Sequence, residues 1–311
     1  MTRPSESKRS QSSVPGSAPK GVAGPPLSQG LWLVATPIGH ADDITLRALD
    51  VLRRADVLAC EDTRRTRKLL EIHGISLGGR PILAYHDQNG AGQRPVILSH
   101  LAAGRSVAYA SDAGTPLIAD PGYRLVQAAR EAEFPVHTVP GASAVLAALT
   151  LAGLPTDRFL FGGFLPPKQA ARKRALEELA DIAATLVFFE SPRRLAACVT
   201  DMAEMLGANR DAAILRELTK LHEETLNGTL GNLAQEWSDR APPKGEVVLV
   251  IGPPVGPRAT PEVDDVDTML RTAMAGASVK DAARIVATKT GLKRRDLYQR
   301  ALGLAAEVDK D

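Results

Sequence analysis

A short apolar run, a turn containing Gly or Pro and an amphipathic helical segment follow one another repeatedly along this chain. Strands that alternate with helices in this way are typical of an α/β fold with a parallel sheet. We therefore predict a doubly wound α/β domain over residues 30–141 and a second one over residues 142–253. The predicted strands of the first domain are Leu31–Ala35, Val57–Cys60, Ile82–Tyr85, Val107–Ala110 and Val136–Val139, and those of the second are Phe159–Phe161, Leu186–Phe189, Ala213–Arg216, Glu223–Asn227 and Val247–Ile251.

The flanking segments differ in composition from the two predicted domains. Residues 1–29 are rich in Ser, Pro and Gly and lack apolar periodicity, so we expect a disordered tail. Residues 254–268 are Pro-rich and then acidic, which predicts a linker. In residues 269–311, Ser278 and Asp281 form a capping-box pattern ahead of a helix, and Leu292–Leu302 predicts a second helix. This small helix-turn-helix-like segment is explained equally well as an RNA-docking module and as a cap on a dimer.

Charge and hydropathy limit the class of protein. The 311 residues carry a formal net charge of only +2, which does not by itself indicate a nucleic-acid-binding protein. No apolar run approaches the ~20 residues that span a bilayer, and the N-terminus lacks the apolar segment of a secretory signal. We therefore expect a cytoplasmic protein with no membrane partner. Cys60 and Cys198 lie in apolar contexts without metal-ligand spacing, so we expect two core residues and no metal site.

Two Gly/Pro turns follow predicted strands of the first domain. Ser111–Gly122 has the sequence SDAGTPLIADPG, and Leu31–Thr45, LWLVATPIGHADDIT, has the same order of strand, turn and capped helix. Both turns fall at the carboxyl edge of one parallel sheet, where α/β proteins bind ligands. The chain has no P-loop motif, no GxGxxG follows the first strand, and the turns contain proline where a phosphate nest needs N–H groups. Backbone carbonyls, small residues and a carboxylate instead suit a nucleoside that carries an ammonium group and a sulfonium.

Polar clusters also follow three other predicted strands. They are Glu61–Arg64 after the second strand, Tyr85–Asn89 around the end of the third, and Arg216–His222 in the second domain. Any one such cluster is explained equally well by helix caps and turn formers. Three clusters together with two Gly/Pro turns favour an active site at the strand ends.

Nine segments of the chain form an ordered set of motifs. They are VATPIG, CEDTRRTRKLL, YHDQNG, SDAGTPLIADPG, VPGASA, GFLPPK, FFESPRR, RELTKLHEE and GEVVLVIGP. Over Leu31–Pro253 they resemble the ribosomal RNA small subunit methyltransferase I family, a tetrapyrrole-methylase-like branch of the class III S-adenosylmethionine enzymes. The resemblance implies 2′-O-methylation of a decoding-region cytidine, position 1402 of 16S rRNA in the usual rRNA numbering. It also implies a homodimer that acts on 16S rRNA, within the small ribosomal subunit.

The same resemblance assigns roles to residues. It implies two α/β domains of tetrapyrrole-methylase type with S-adenosyl-L-methionine bound in a cleft between them. The residues that would line this cleft are Pro37, Gly39, Ser111, Asp112, Ala113, Gly114, Thr115, Pro140, Gly141, Ala142 and Ser143. Local basic patches, and not the resemblance, supply the candidate RNA contacts, and for any single patch a solvated helix face is the favoured explanation. The residues are Arg64, Arg65, Lys168, Arg193, Arg194, Lys293, Arg294 and Arg295.

For the transfer step we favour Arg216, Glu217 and Lys220. A lysine whose pKa is lowered by a neighbouring arginine could take the hydroxyl proton while Glu217 orients it. An equal alternative is that Lys220 holds an RNA phosphate. Glu61 and Asp62 are weaker candidates for the base.

The family usually has Asn at the position of His40 and His at the position of Arg193. Two rival functions stay open: a class III methyltransferase acting on a tetrapyrrole, corrinoid or protein substrate, and a non-catalytic rRNA assembly factor. RELTKLHEE and CEDTRRTRKLL match the rRNA branch and disfavour the first rival. The completeness of the remaining motifs disfavours the second.

Overall fold

The computed structural model describes residues 27–86, 88–119, 121–254, 263–290 and 294–308. The predicted tail as far as residue 26, residues 255–262 of the predicted linker and Lys293 lie outside the described residues. The chain divides into two compact units, one formed by the described residues up to 37 together with 41–142, the other by 38–40 and the described residues from 143 onward.

The first unit is built on a five-stranded sheet in the order β3-β2-β4-β1-β5, and every pair in it is parallel. Alternate residues of the central strand pack into two hydrophobic clusters, Ala108 and Ala110 in one and Val107 and Tyr109 in the other. Both faces of the sheet are therefore covered, as predicted for a doubly wound domain. The elements are β1 (Gly30–Val34), α1 (Leu46–Arg54), β2 (Val57–Cys60), α2 (Thr63–Ile72), β3 (Ile82–Ala84), α3 (Gly90–Ala102), β4 (Ser106–Ala110), α4 (Tyr123–Glu131) and β5 (Val136–Val139).

The second unit contains a five-stranded sheet in the order β6-β7-β10-β8-β9. Only β6 and β7 are parallel, and the other three pairs are antiparallel, so this sheet is mixed. The short connection over residues 217–223 forces β8 and β9 to be antiparallel, because a parallel pair needs a crossover of a dozen or more residues. The elements are α5 (Ala144–Ala152), β6 (Phe159–Phe164), α6 (Gln169–Glu177), β7 (Thr185–Glu190), α7 (Leu195–Leu206), β8 (Asp211–Arg216), β9 (Glu224–Thr229), α8 (Leu230–Ser238) and β10 (Val247–Ile251).

Three helices end the described chain: α9 (Val263–Met274), α10 (Val279–Thr290) and α11 (Arg294–Val308). They share a hydrophobic core of their own, composed of Val266, Leu270, Ala283, Val286, Leu297, Ala301 and Leu304. Helix α9 begins inside the stretch 254–268, so the prediction of a linker as far as residue 268 is wrong. The acidic run opens a helix because apolar residues four apart in that helix pack into the core.

The start of α10 gives a stability prediction. The hydroxyl of Ser278 accepts a hydrogen bond from the backbone N–H of Asp281 at 3.2 Å and donates one to its carboxylate at 2.7 Å. Replacing Ser278 with Ala should cost about 1 kcal/mol of local stability, because an N-terminal helix donor loses its acceptor. Native-state hydrogen exchange of the α10 amides measures this cost. Ser278→Thr, which keeps the hydroxyl, is the control, and equal protection in the two variants would contradict the prediction.

Both cysteines are buried and free, as predicted. Burial raises the pKa of the Cys60 thiol to about 11. Across the described ranges, no helix has the length and apolar character needed to cross a membrane. No group of three or more His, Cys, Asp or Glu residues that could hold a metal ion occurs in the same ranges.

Candidate functional site

The loops after β1 and β4 are joined in the first unit. The backbones of Thr36 and Gly114 exchange two hydrogen bonds, with N···O distances of 2.9 and 3.0 Å. The Thr36 hydroxyl donates to the carbonyl of Ser111 at 3.0 Å, and the Ser111 hydroxyl donates to the carbonyl of Gly114. Gly114 has a φ of +76°, which favours glycine. The turn that begins SDAGTP is therefore closed by buried, fully paired polar groups.

The loop after β5 reaches the same place. The hydroxyl of Thr115 donates to the carbonyl of Ala142 at 3.0 Å. A Cβ atom on Gly141 would lie only 3.0 Å from the Cβ of Ala35. The carboxyl ends of β1, β4 and β5 thus carry one set of small residues, and the structure brings the predicted residues 111–115 and 141–142 together. Ser143 instead caps α5 in the second unit.

Asp112 connects this set to the loop after β2. One of its carboxylate oxygens accepts a hydrogen bond from the backbone N–H of Asp62 at 2.8 Å, and the other lies 3.7 Å from Nε of Arg65. Asp62 caps α2, accepting from the backbone N–H and from the guanidinium of Arg64. The Arg64 hydrogen bonds hold the pKa of Asp62 well below its usual range. A carboxylate held in this way is a poor general base, whereas Asp112 fixes the relative position of two strand-end loops.

Replacing Asp112 with Ala should weaken cofactor binding about ten-fold. The Asp62 N–H then loses its acceptor, which costs about 1–3 kcal/mol, and the turn after β4 loses its link to β2. Isothermal titration with S-adenosylhomocysteine measures the affinity. Asp50→Ala, which removes the exposed partner of Arg54 on α1, is the matched control. The role is excluded if both variants bind like the parent protein.

A second cluster lies in the second unit, in the connection between β8 and β9 and at the start of β10. We call Glu217, Lys220 and Glu246 the lysine cluster. The ammonium nitrogen of Lys220 lies 2.8 Å from Oε1 of Glu217 and 3.1 Å from Oε2 of Glu246. Burial alone would lower the pKa of Lys220, but the hydrogen bonds to the two carboxylates outweigh it, so the pKa is raised. Lys220 is therefore a cation at neutral pH.

The expected lowering of the Lys220 pKa by Arg216 is wrong. The Arg216 guanidinium donates to the carboxylate of Glu224 and, at 3.2 Å, to the carbonyl of Lys244. Arg216 and Glu224 are direct partners in the antiparallel register of β8 and β9, and opposite charges at such positions attract across the strands. Arg216 is thus engaged across the hairpin.

The predicted cofactor residue Gly39 contacts the predicted catalytic lysine. A Cβ atom on Gly39 would lie 2.5 Å from the Thr219 hydroxyl oxygen and 2.6 Å from Cγ of Lys220. The backbone N–H of His40 donates to the same Thr219 hydroxyl at 3.1 Å. Glu217 and Thr219 both have positive φ values, of 50° and 63°. Motifs almost 180 residues apart in the chain therefore form one tightly packed element.

The predicted RNA contacts differ in their surroundings. Arg65, Lys168 and Arg193 are exposed, as are Arg294 and Arg295 at the start of α11. Arg194 instead donates from Nη2 to the carbonyl of Leu165 at 2.7 Å and to the buried carboxylate of Glu190 at 3.0 Å. Those contacts make Arg194 an anchor between two loops and disfavour it as an RNA contact.

Sequence reasoning missed Thr36 and Glu246. Thr36 stands directly before the predicted Pro37 in VATPIG, and its buried hydroxyl closes the turn. Glu246 follows Gly245 in the GEVVLVIGP segment, immediately before β10. The sequence did show the Glu246 carboxylate beside a glycine at the start of a strand. It could not show the partner of this carboxylate, Lys220, which is 26 residues away in the chain.

Comparison with known proteins decides the family. A family model described as Tetrapyrrole (Corrin/Porphyrin) Methylases matches residues 30–234, and one described as RsmI C-terminal HTH domain matches residues 260–305. A Mesorhizobium japonicum protein named Ribosomal RNA small subunit methyltransferase I is 49% identical over 279 residues, covering 90% of this chain and 93% of the relative. A protein of the same name from Erythrobacter litoralis is 52% identical, covering 90% and 96%. The chain belongs to the ribosomal RNA small subunit methyltransferase I family.

Membership in the small subunit methyltransferase I family confirms the predicted fold class, the methyltransferase activity on small-subunit rRNA and the cofactor, S-adenosyl-L-methionine. Among solved structures, a cobalt precorrin-4 methyltransferase superposes with a TM-score of 0.55 at 18% identity, covering 71% of this chain and 94% of that one. A Thermus thermophilus uroporphyrin-III C-methyltransferase complexed with S-adenosylhomocysteine gives 0.50 at 21% identity, covering 72% and 97%. These two show the fold.

The strand-end loops of the first unit suit the cofactor of this family. Ala113, Gly141 and Ala142 are small and are not fully buried, so a ligand can approach the backbone closely there. Asp112 adds a carboxylate at the edge of the same loops. Backbone groups, small side chains and one carboxylate are compatible with an adenosyl ligand that has a cationic sulfur, and the assignment of these residues to the cofactor stays a prediction.

Proposed function

We propose that this protein transfers a methyl group from S-adenosylmethionine to the 2′-hydroxyl of a decoding-region cytidine, position 1402 of 16S rRNA. The observation that carries this proposal is the similarity to relatives named Ribosomal RNA small subunit methyltransferase I over 90% of the chain, including the C-terminal helices. We further propose that the protein acts in the cytoplasm as a homodimer, with 16S rRNA in the small ribosomal subunit as its substrate.

Four of the residues described above have a part in the proposed reaction. Bound S-adenosylmethionine would supply a methyl group on its sulfonium, and transfer to the 2′-oxygen would leave S-adenosylhomocysteine, with the hydroxyl proton passing to water. Ser111, Asp112 and Thr115 fix the loops that hold the cofactor. Lys220 is suited to bind an anionic RNA oxygen at Nζ, which favours the phosphate-holding alternative over the base. Alignment of the hydroxyl with the methyl group then supplies much of the rate.

Transfer of labelled methyl groups to small subunits that lack the modification tests the proposal. Ribose methylation is mapped as resistance to alkaline cleavage, and subunits that already carry the modification serve as the control. We expect one resistant cytidine in the decoding region. Methylation at another nucleotide would contradict the assigned position. Transfer to a corrinoid or to a protein would support the first rival, and cofactor binding without any transfer would support the assembly factor.

A further inference from the structure

The ammonium group of Lys220 has unused hydrogen-bonding capacity. It has three N–H donors. The described contacts account for two of them, one to Glu217 and one to Glu246. The Lys220 side chain is 29% exposed to solvent. A third acceptor can therefore reach this nitrogen from solvent.

The two carboxylates that hold Lys220 are not equivalent. The Glu217 side chain is 19% exposed, and its Oε1 also accepts the backbone N–H of Glu246 at 3.0 Å. A Cβ atom on Gly245 would overlap Cδ of Glu217, so the missing side chain at Gly245 is what leaves room for this carboxylate. Glu217 is therefore fixed on several sides.

Glu246 is held much more weakly. Its side chain is 66% exposed, and its carboxylate makes one described contact, the 3.1 Å hydrogen bond to Lys220. Exposed ion pairs of this kind contribute little, because water and salt screen them. An incoming anion can take the place of this carboxylate at small cost, whereas displacing Glu217 would disrupt the connection between β8 and β9.

We propose that the Glu246 carboxylate is an exchangeable counter-ion that an RNA phosphate oxygen replaces on Lys220, while Glu217 stays in place as the positioning residue. The inference rests on the proposed function, in which RNA is the substrate. The contact of Gly39 with Thr219 and Lys220 supports it independently, because it locates the ammonium stem beside a segment predicted to line the cofactor site. In the free protein Glu246 occupies Lys220, and RNA must displace this carboxylate in order to bind the ammonium group.

The test compares Glu246→Gln with Glu236→Gln. Glu236 on α8 forms an exposed ion pair with Arg240, which lies just beyond the end of that helix, so the control removes the same charge from a comparable pair. We expect Glu246→Gln to lower the KM for small subunits roughly two- to five-fold, the range of an exposed ion pair, with kcat little changed. The affinity of Glu246→Gln for subunits, measured with S-adenosylhomocysteine present, should also depend more steeply on salt. The slope of log affinity against log salt concentration should steepen by up to about 0.7, because one more cation is available to RNA. The control should show neither effect.

A double-mutant cycle shows whether Glu246 acts through Lys220. In a Lys220→Met background, Glu246→Gln should no longer change affinity or salt slope. An unchanged or raised KM in Glu246→Gln, or equal effects in the Glu246 and Glu236 variants, would overturn the inference while leaving the proposed function intact. Absence of RNA methylation by the parent protein would instead remove the proposed function itself.

Discussion

Replacing Lys220 with Met should lower kcat for rRNA methylation about 100-fold or more, while the Kd for S-adenosylmethionine changes less than about two-fold. A phosphate contact that aligns the RNA acts on the rate as well as on binding, because displacing a reacting group by about 1 Å can cost on the order of 10²-fold. Glu217 places the ammonium of Lys220 for this contact, since its carboxylate lies 2.8 Å from the ammonium nitrogen. Single-turnover methyl transfer and cofactor titration separate the two quantities.

Lys68→Met is the matched control for this variant. Lys68 pairs with Glu71 three residues further along α2, the same spacing as the Glu217–Lys220 pair, but both side chains are exposed. Turnover by this control should equal that of the parent protein. A Lys220→Met protein that folds normally and turns over at the parent rate would exclude any role for this lysine in transfer.

The pH profile separates the two roles considered for Lys220. The hydrogen bonds to Glu217 and Glu246 raise the pKa of Lys220 above its ordinary value despite partial burial, so the side chain stays protonated throughout the neutral range. We therefore expect the pH profile of kcat between about pH 6 and 9 to have the same shape in the parent protein and in Lys220→Met. A lysine acting as a base with a lowered pKa would produce a rise in kcat in the parent protein alone as it loses its proton.

The first sheet was predictable from sequence because its signals are local. Buried parallel strands appear as continuous apolar runs, and β2 and β5 begin and end at the predicted residues. The Gly/Pro turns were equally visible, since the left-handed backbone at position 114 favours glycine and so leaves a mark in the sequence. Local patterns therefore gave both the first unit and the loops expected to hold the cofactor.

The lysine cluster was predictable only in part, because its geometry depends on distant residues. Arg216, Glu217 and Lys220 are neighbours in sequence, which suggested one cluster. The side chains of a strand alternate in direction, and Arg216 pairs with Glu224 across the hairpin instead. Glu246 comes from another strand, 26 residues beyond Lys220, and only the folded structure brings the two together.

Replacing Gly39 with Ala should lower kcat/KM about 100-fold. Gly39 has no left-handed φ, so alanine meets no backbone penalty there and the effect arises from contact alone. The added Cβ would lie 2.6 Å from Cγ of Lys220 and 2.7 Å from the carbonyl oxygen of Leu218. The carbonyl belongs to the backbone and cannot rotate away, so the connection that carries Lys220 must shift. Displacement of a reacting or binding group by about 1 Å can cost 10²-fold in rate.

Gly92→Ala is the matched control, because Gly92 lies in α3 with no atom within 4 Å of the added Cβ. It should keep full activity and gain up to about 1 kcal/mol of stability from the higher helix propensity of alanine. Methylation rates and thermal unfolding of the two variants are measured side by side. If Gly39→Ala is as active as Gly92→Ala, the packing of Gly39 on Lys220 has no part in transfer. If its activity is lost while its melting temperature and its Kd for S-adenosylhomocysteine stay near those of the parent, the contact acts on the position of the ammonium group, because misfolding would lower the melting temperature and a damaged cofactor site would raise the Kd.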